Sequence, residues 1–402
     1  MEGPSLKVDN IPATGGNYQW KAMSCLFILG SFAGDHPAIL DCLTRTSASL
    51  KGKGRLMGGW ASRGFCRCLA DAVMTIFVAV SIAASSLPAR ADDRAPQTQA
   101  SKDQIEKLIT QWRSYEDGTS SLSQRRAAFE KFMSAAPGPT RIQVRPLDVD
   151  GTEAELLWPA RLHHPIGRRV ILYLHGGGFY SGSSNTHRAL AGSLAKSASA
   201  DVLLINYRRT PEYGYPDQVD DALTAYRWLL SSGYRNDNIV IAGDSVGGTL
   251  AIETVLRQLE VKGPLPAAVI AMSPITDFAA TGTSMTANAD TDPFMGKAEL
   301  ETIRKAYLGH HNPEDPEVSP LYASMAGFPP LLLQVGSRET LMDDTLRLAA
   351  KARDAGVDVT AEVWPGMIHQ WQIFPFWLDD ADRSNAKAAE FAVRHFADKP
   401  QE

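Results

Sequence analysis

Two short stretches of this sequence could do chemistry together. Gly243-Asp244-Ser245-Val246-Gly247 reads as G-x-S-x-G; the strand-like run Asn238-Ile239-Val240-Ile241-Ala242 precedes it and a helical stretch, Thr249 to Gln258, follows. Seventy positions before the serine, His175-Gly176-Gly177-Gly178-Phe179 follows the apolar run Val170-Ile171-Leu172-Tyr173-Leu174. A sharp strand-to-helix turn needs small residues on both sides and lifts its central side chain to the sheet edge, which makes Ser245 a candidate nucleophile. The N–H groups of Gly176 and Gly177, free of any Cβ, and that of Val246 at a helix start are candidate donors to an oxyanion. In a chain with 32 glycines a bare G-x-S-x-G says little. Its place between strand and helix, behind a glycine run at another strand end, points to acyl transfer.

A serine hydroxyl needs a base, and the base needs an acid to orient it. The C-terminal third holds four histidines: His310, His311, His369 and His395. His369 follows the strand-like Val357–Val363, where a base is needed; His395 falls in a helical pattern, and His310 and His311 sit among polar residues and prolines. The acid is more open. After the strand-like Leu331–Val335 come Glu339, Asp343 and Asp344. Thr340 and Asp343 have the spacing of a helix-capping pair, a local role for Asp343, whereas Glu339 precedes the helix on the loop facing His369. Glu339 is the expected acid and Asp343 the alternative.

These residues, with Tyr207-Arg208-Arg209-Thr210-Pro211-Glu212, Asp292-Pro293-Phe294 and Gly366-Met367-Ile368-His369, resemble the hormone-sensitive-lipase-like esterases, bacterial family IV. The resemblance spans about residues 120–396, and it is especially similar to that family's subgroup of monoterpene ε-lactone hydrolases. It implies an α/β-hydrolase core with a helical cap, Ser245 as nucleophile, His369 as base, and Gly176 and Gly177 in the oxyanion hole. The family's acid motif is usually Asp-x-Leu-x-Asp; here Glu339-Thr340-Leu341-Met342-Asp343 stands in its place, so glutamate takes the acid position. The implied activity is that of a carboxylesterase or lactone hydrolase acting on small-molecule esters or lactones. Two other readings stay open: a non-catalytic binding protein on the same fold, and an amidase or peptidase using the same triad.

The elements that must position these residues alternate. A hairpin is expected over Ile142–Val149 and Ala154–Trp158, then strands at 170–174, 202–206, 239–242, 267–272, 331–335 and 357–363. Helices are expected at 217–230, 249–258, 341–355 and 384–396. Alternation predicts an α/β fold, a mostly parallel central sheet with helices on both faces. A helix from Ser101, its expected cap, carries Ile105, Leu108, Ile109 and Trp112 on one face, and a second runs from Leu122 to Met133. These helices, about 101–135, and the strandless interruption 276–319 are the expected cap of a hydrolase domain over 101–400. Phe179, Phe294 and Trp371 are candidate pocket walls.

Composition narrows the rest. The chain has 402 residues and a net charge of −5 with no basic block, which argues against nucleic acid. Neither a zinc-protease His-Glu pattern nor a Cys-x-x-Cys pair occurs, so no metal or other cofactor is expected. All four cysteines precede residue 69. Arg63 and Arg67, the mostly apolar run Ala72–Ala84 and Ala89-Arg90-Ala91 match a secretory signal peptide. Met57 is then the sensible start, making 1–56 a mis-called extension, 57–91 the signal and 92–100 a linker. The expected location is exported, periplasmic or secreted. The alternatives are an uncleaved signal-anchor holding the protein to the membrane and, if the segment is unused, a cytoplasmic enzyme. Nothing in the sequence sets the oligomeric state.

Overall fold

A computed structural model of the protein describes residues 99–115, 120–161 and 169–398. The expected signal segment, the extension before it, the cysteines and nearly all of the linker lie outside the described residues.

The central strands are apolar on both faces. In β3 (Val170–Leu174) all five residues are buried, and in β5 (Ile239–Asp244) all six. Successive side chains go to opposite sides: Val170, Leu172 and Leu174 join one core, Ile171 and Tyr173 the other. Such runs need cover on both faces, and the chain supplies it. Helices α4 (Asp217–Ser231), α5 (Val246–Glu260) and α8 (Met342–Asp354) contribute to the first core; α3 (Ser184–Ala198) and α9 (Asp379–His395) to the second.

The sheet has eight strands in the order β1-β2-β4-β3-β5-β6-β7-β8. The hairpin β1 (Ile142–Val149) and β2 (Thr152–Pro159) pairs antiparallel with itself and with β4 (Asp201–Ile205); every other pairing, through β6 (Ala268–Met272), β7 (Leu331–Gly336) and β8 (Val359–Trp364), is parallel. β1 is the edge, which is why it tolerates Pro146 and exposes most of its residues. The parallel strands all end on the side where the glycine run, the serine, the acid and the histidine follow.

The expected strands and hairpin are present, with ends shifted by two residues at most. The helix α3 has no counterpart in the sequence reading. Ser101 lies within α1 (Gln99–Arg113) and donates to Asp380 Oδ2 on α9 at 2.7 Å, so it ties two helices together and is not a cap. α2 spans Leu122–Met133, opened by a capping box between Ser121 and Gln124. The stretch 276–319 holds two helices, α6 (Ser284–Ala287) and α7 (Lys297–Tyr307).

Candidate active site

Ser245 sits between β5 and α5 with φ 52° and ψ −125°, a conformation that a non-glycine residue holds only under constraint. Its N–H donates to the Met272 carbonyl at 2.8 Å, and its own carbonyl accepts from Thr249 N–H at 3.1 Å. The turn is tight enough to fix its neighbours. A Cβ on Gly247 would run into the Leu174 and His175 carbonyl oxygens, and one on Gly243 into the Gly247 backbone.

The base and acid arrive on adjacent loops that are stitched together. Ser337 N–H donates to Trp364 O at 2.9 Å, Arg338 N–H to Met367 O at 3.1 Å, and Gly366 N–H to Ser337 Oγ at 2.8 Å. This seam, between the ends of β7 and β8, brings His369 Nδ1 within 3.0 Å of Glu339 Oε2. On its other side His369 Nε2 lies 3.0 Å from Ser245 Oγ. A carboxylate only accepts, so Nδ1 carries the proton and Nε2 presents its lone pair to the serine hydroxyl. Glu339 Oε1 accepts from Ser273 Oγ at 2.8 Å and from Gly336 N–H at 2.5 Å, which fixes the carboxylate.

Both members of the pair are buried. Burial pushes the Glu339 carboxyl up further than its His369 hydrogen bond pulls it down. For His369, burial works to lower the pKa, but the Glu339 hydrogen bond and charge, aided by Asp292 and Asp244, outweigh it and hold it above the ordinary imidazole range. Asp343 has no part in this chain. Its Oδ2 accepts from Thr283 Oγ1 at 2.5 Å and from Ser284 N–H at 3.0 Å, which fixes α6. Nor does it pair with Thr340 as a cap: α8 begins after Leu341 with no side-chain cap, and Thr340 N–H and Oγ1 donate to Asp292 Oδ2 at 2.9 and 3.3 Å.

The glycine run departs from expectation by one residue. Gly176 N–H donates to Asp244 Oδ1 at 3.0 Å and so is not offered to substrate. Gly177 and Gly178 line the pocket instead. The Gly176 carbonyl accepts from His175 Nδ1 at 2.8 Å; because a trans peptide sets C=O and N–H on opposite sides, this aims the Gly177 N–H away from His175. The Gly177 carbonyl accepts from both Ser181 N–H and Ser181 Oγ at 2.8 Å, which aims the Gly178 N–H in the same way. Gly177 holds φ 112°, open only to glycine without strain. Val246 opens α5, where a helix leaves its first N–H groups without internal partners.

Asp244, the variable residue of G-x-S-x-G, organises this corner, a role not read from the sequence. Its buried carboxylate accepts from Tyr173 Oη at 2.8 Å, Gly176 N–H at 3.0 Å and Gln370 Nε2 at 2.5 Å, and lies 3.3 Å from His187 Nε2. Burial alone would raise its pKa; His187 and the hydrogen bonds overcome that and hold it below the usual carboxylate value. His175, buried beside His187, is driven down to about 3 and is neutral. The available signal is the charge itself: an aspartate between glycine and serine at a strand end must find donors, and the nearest backbone N–H groups belong to the glycine run.

The serine opens into a cavity of about 520 Å³. Phe294 lines it, as expected, with Trp112, Phe129, Met295, Ile373 and Phe374. Phe179 and Trp371 do not. Phe179 is fully buried and stacks on Tyr307 at 3.7 Å; Trp371 is fully buried beside Trp364, ring centroids 5.9 Å apart. The polar wall, Arg125, Tyr180 and Glu299, was not anticipated. The expected cap segments thus both supply lining, α1 and α2 from one side and residues 293–303 from the other. His311 packs against Tyr215 and His395 against Phe391, away from the triad. Among the described residues no cluster of His, Cys, Asp and Glu is arranged to hold a metal, and no helix is long and apolar enough to cross a membrane.

A parallel sheet of this order, a strained serine between strand and helix, and acid and base on the next strand ends define an α/β hydrolase. The comparisons agree. A family model described as alpha/beta hydrolase fold matches residues 171–373. An acetyl-hydrolase of Streptomyces hygroscopicus is 39% identical over 238 residues, 59% of this chain and 78% of that protein. An esterase of Acinetobacter venetianus is 35% identical over 269 residues, 67% of this chain and 88% of that one. A solved esterase from the bacterial hormone-sensitive lipase family superposes with TM-score 0.69 at 38% identity, covering 73% of this chain and 99% of its own. The chain belongs to the hormone-sensitive-lipase-like, family IV esterases of the α/β-hydrolase fold, and its activity is that of a carboxylic-ester hydrolase.

Proposed function

We propose that the protein hydrolyses short-to-medium acyl esters or lactones through an acyl-enzyme on Ser245. The observation that carries this reading is the unbroken chain Glu339–His369–Ser245, with both contacts at 3.0 Å, opening into a cavity that has an aromatic wall. His369 takes the serine proton as Oγ attacks the carbonyl carbon. The carbonyl oxygen becomes an oxyanion held by the N–H groups of Gly177, Gly178 and Val246, each worth on the order of 3 kcal/mol in the transition state. Glu339 holds the tautomer and stabilises the imidazolium, which returns the proton to the leaving alkoxide. In a lactone that alkoxide stays attached to the acyl group as a hydroxyl. Water, deprotonated by the same His369, then releases the acid.

The aromatic wall formed by Trp112, Phe129, Phe294 and Phe374 suits apolar acyl or alcohol groups. A panel of nitrophenyl esters of increasing acyl length, simple lactones and acyl anilides tests the assignment. Turnover of short esters or lactones, with a mass increase of one acyl group on the intact protein during turnover, is expected. Turnover of anilides alone would make it an amidase, and absence of any turnover would favour a binding protein.

A further inference from the structure

We propose that Arg126, on α2, is a positioning residue for the oxyanion hole: it clamps the loop that carries Gly177 and Gly178, so that the hole is assembled only when α2 is seated. The proposal rests on the serine mechanism above.

Arg126 does not line the cavity, yet three loop contacts converge on its guanidinium. Nε donates to the Tyr180 carbonyl at 2.6 Å, and Nη2 donates to the Thr210 carbonyl at 2.8 Å. Glu212 receives the outer edge of the fork, Oε1 from Nη1 at 3.2 Å and Oε2 from Nη2 at 2.8 Å. This gives the Tyr207–Glu212 motif a use that the triad does not supply. Thr210 N–H in turn donates to the Phe179 carbonyl at 2.9 Å, and Arg209 Nη1 to the Gly182 carbonyl at 2.7 Å. The carbonyls of Gly177, Phe179, Tyr180 and Gly182 are therefore all taken, each by a donor from a defined place. The route to the hole runs through peptide planes: the Tyr180 carbonyl held by Arg126 shares its plane with Ser181 N–H, Ser181 N–H donates to the Gly177 carbonyl at 2.8 Å, and that carbonyl shares its plane with the Gly178 N–H.

The same loop is held by its side chains. Tyr180 Oη donates to Glu299 Oε1 on α7 at 2.8 Å, Arg125 pairs with Glu299 Oε2 at 2.7 Å, and Arg125 lies 4.9 Å over the Tyr180 ring. Both expected cap segments thus meet on the residue two places after Gly178. Arg126 is the member whose only route to the chemistry is through the backbone. A planar fork that spans two carbonyls and a carboxylate has no lysine equivalent.

Oxyanion donors act on the transition state more than on bound ester, so a loosened loop lowers kcat and leaves KM nearly unchanged. For Arg126→Gln the expectation is a fall in kcat of about 10- to 100-fold, KM within about twofold of the parent, and a matching loss of affinity for a short alkyl boronic acid, whose serine adduct needs the same donors. Arg126→Lys should fall between the two. Measurements are made well below each variant's Tm. Should Arg126→Gln not fold, Glu212→Gln, which frees the outer edge of the fork, is read by the same three numbers. An unchanged kcat in a folded variant, or a raised KM with kcat intact, overturns the clamp. A fluorophosphonate that labels Ser245 in the parent keeps the underlying reading separate: no label there sinks the serine mechanism, whereas label with parent-like variants sinks only the clamp.

Discussion

Glu339 sets the titration of the site. Its carboxylate meets His369 Nδ1 at 3.0 Å inside a buried seam, and His369 is held above the ordinary imidazole value of about 6.5. Only neutral His369 accepts the serine proton, so kcat/KM is full above its folded pKa and is lost as pH falls through it. The acidic limb is therefore expected above about 6.5. Glu339→Gln removes the charge and leaves burial, which pushes the histidine the other way; kcat should fall on the order of 10⁴-fold and the limb should move to lower pH. Asp343→Asn should leave both rate and limb close to the parent, since Asp343 serves α6. A pH–rate profile of the two variants side by side checks both statements; an unchanged limb in Glu339→Gln would remove it from the site. At this scale Ser245, His369 and Glu339 are legible because each follows a strand-like run at a strand end. The choice among three consecutive glycines is not, because it depends on where Asp244, 68 positions further along the chain on the neighbouring strand, finds its donors.

At the scale of elements, the inner parallel strands show through because burial on both faces leaves nearly uninterrupted apolar runs, whereas the half-buried edge strand β8 alternates. Helix α3 is hidden: its buried face is mostly Ala, Ser, Thr and Gly, with Leu190 and Leu194 the large apolar members. The mark it does carry is the Ser183–Thr186 capping box, with Thr186 N–H to Ser183 Oγ at 3.4 Å and Ser183 N–H to Thr186 Oγ1 at 2.9 Å. Thr340–Asp343 has the same spacing and makes no such box, because Asp292 takes the Thr340 donors first. That competition gives the Asp-Pro-Phe stretch a role. Asp292 Oδ1 also accepts from Phe294 and Met295 N–H at 3.1 Å each, so one carboxylate ties the 276–319 segment to the residue after Glu339. Asp292→Ala leaves those donors unmatched in a buried place and is expected to cost about 3 kcal/mol. Denaturant unfolding checks this; a loss under about 0.5 kcal/mol would mean that the tie is idle.

At the scale of the whole molecule, a 520 Å³ cavity bounded by the sheet edge and by both expected cap segments separates chemistry from specificity. The sheet edge fixes the triad, and the segments 99–133 and 276–319 shape what reaches it. The cavity's walls are the least legible part from sequence: Phe179 and Trp371, aromatic and near the motifs, turn into the core, while Arg125, Tyr180 and Glu299 face the space. Which way a loop side chain points is decided by tertiary packing and not by its neighbours in the chain. The signal reading of residues 57–91 predicts its own outcome: N-terminal sequencing of exported protein should begin at Asp92, and an intact Met1 would defeat it.

The central claim is that Ser245 is the nucleophile. The most direct measurement is the hydrolysis of a short-chain nitrophenyl ester by purified Ser245→Ala, with folding checked by its unfolding curve. A loss of kcat of about 10⁵- to 10⁶-fold in a folded protein is the predicted result; hydrolysis at the parent's rate would contradict it.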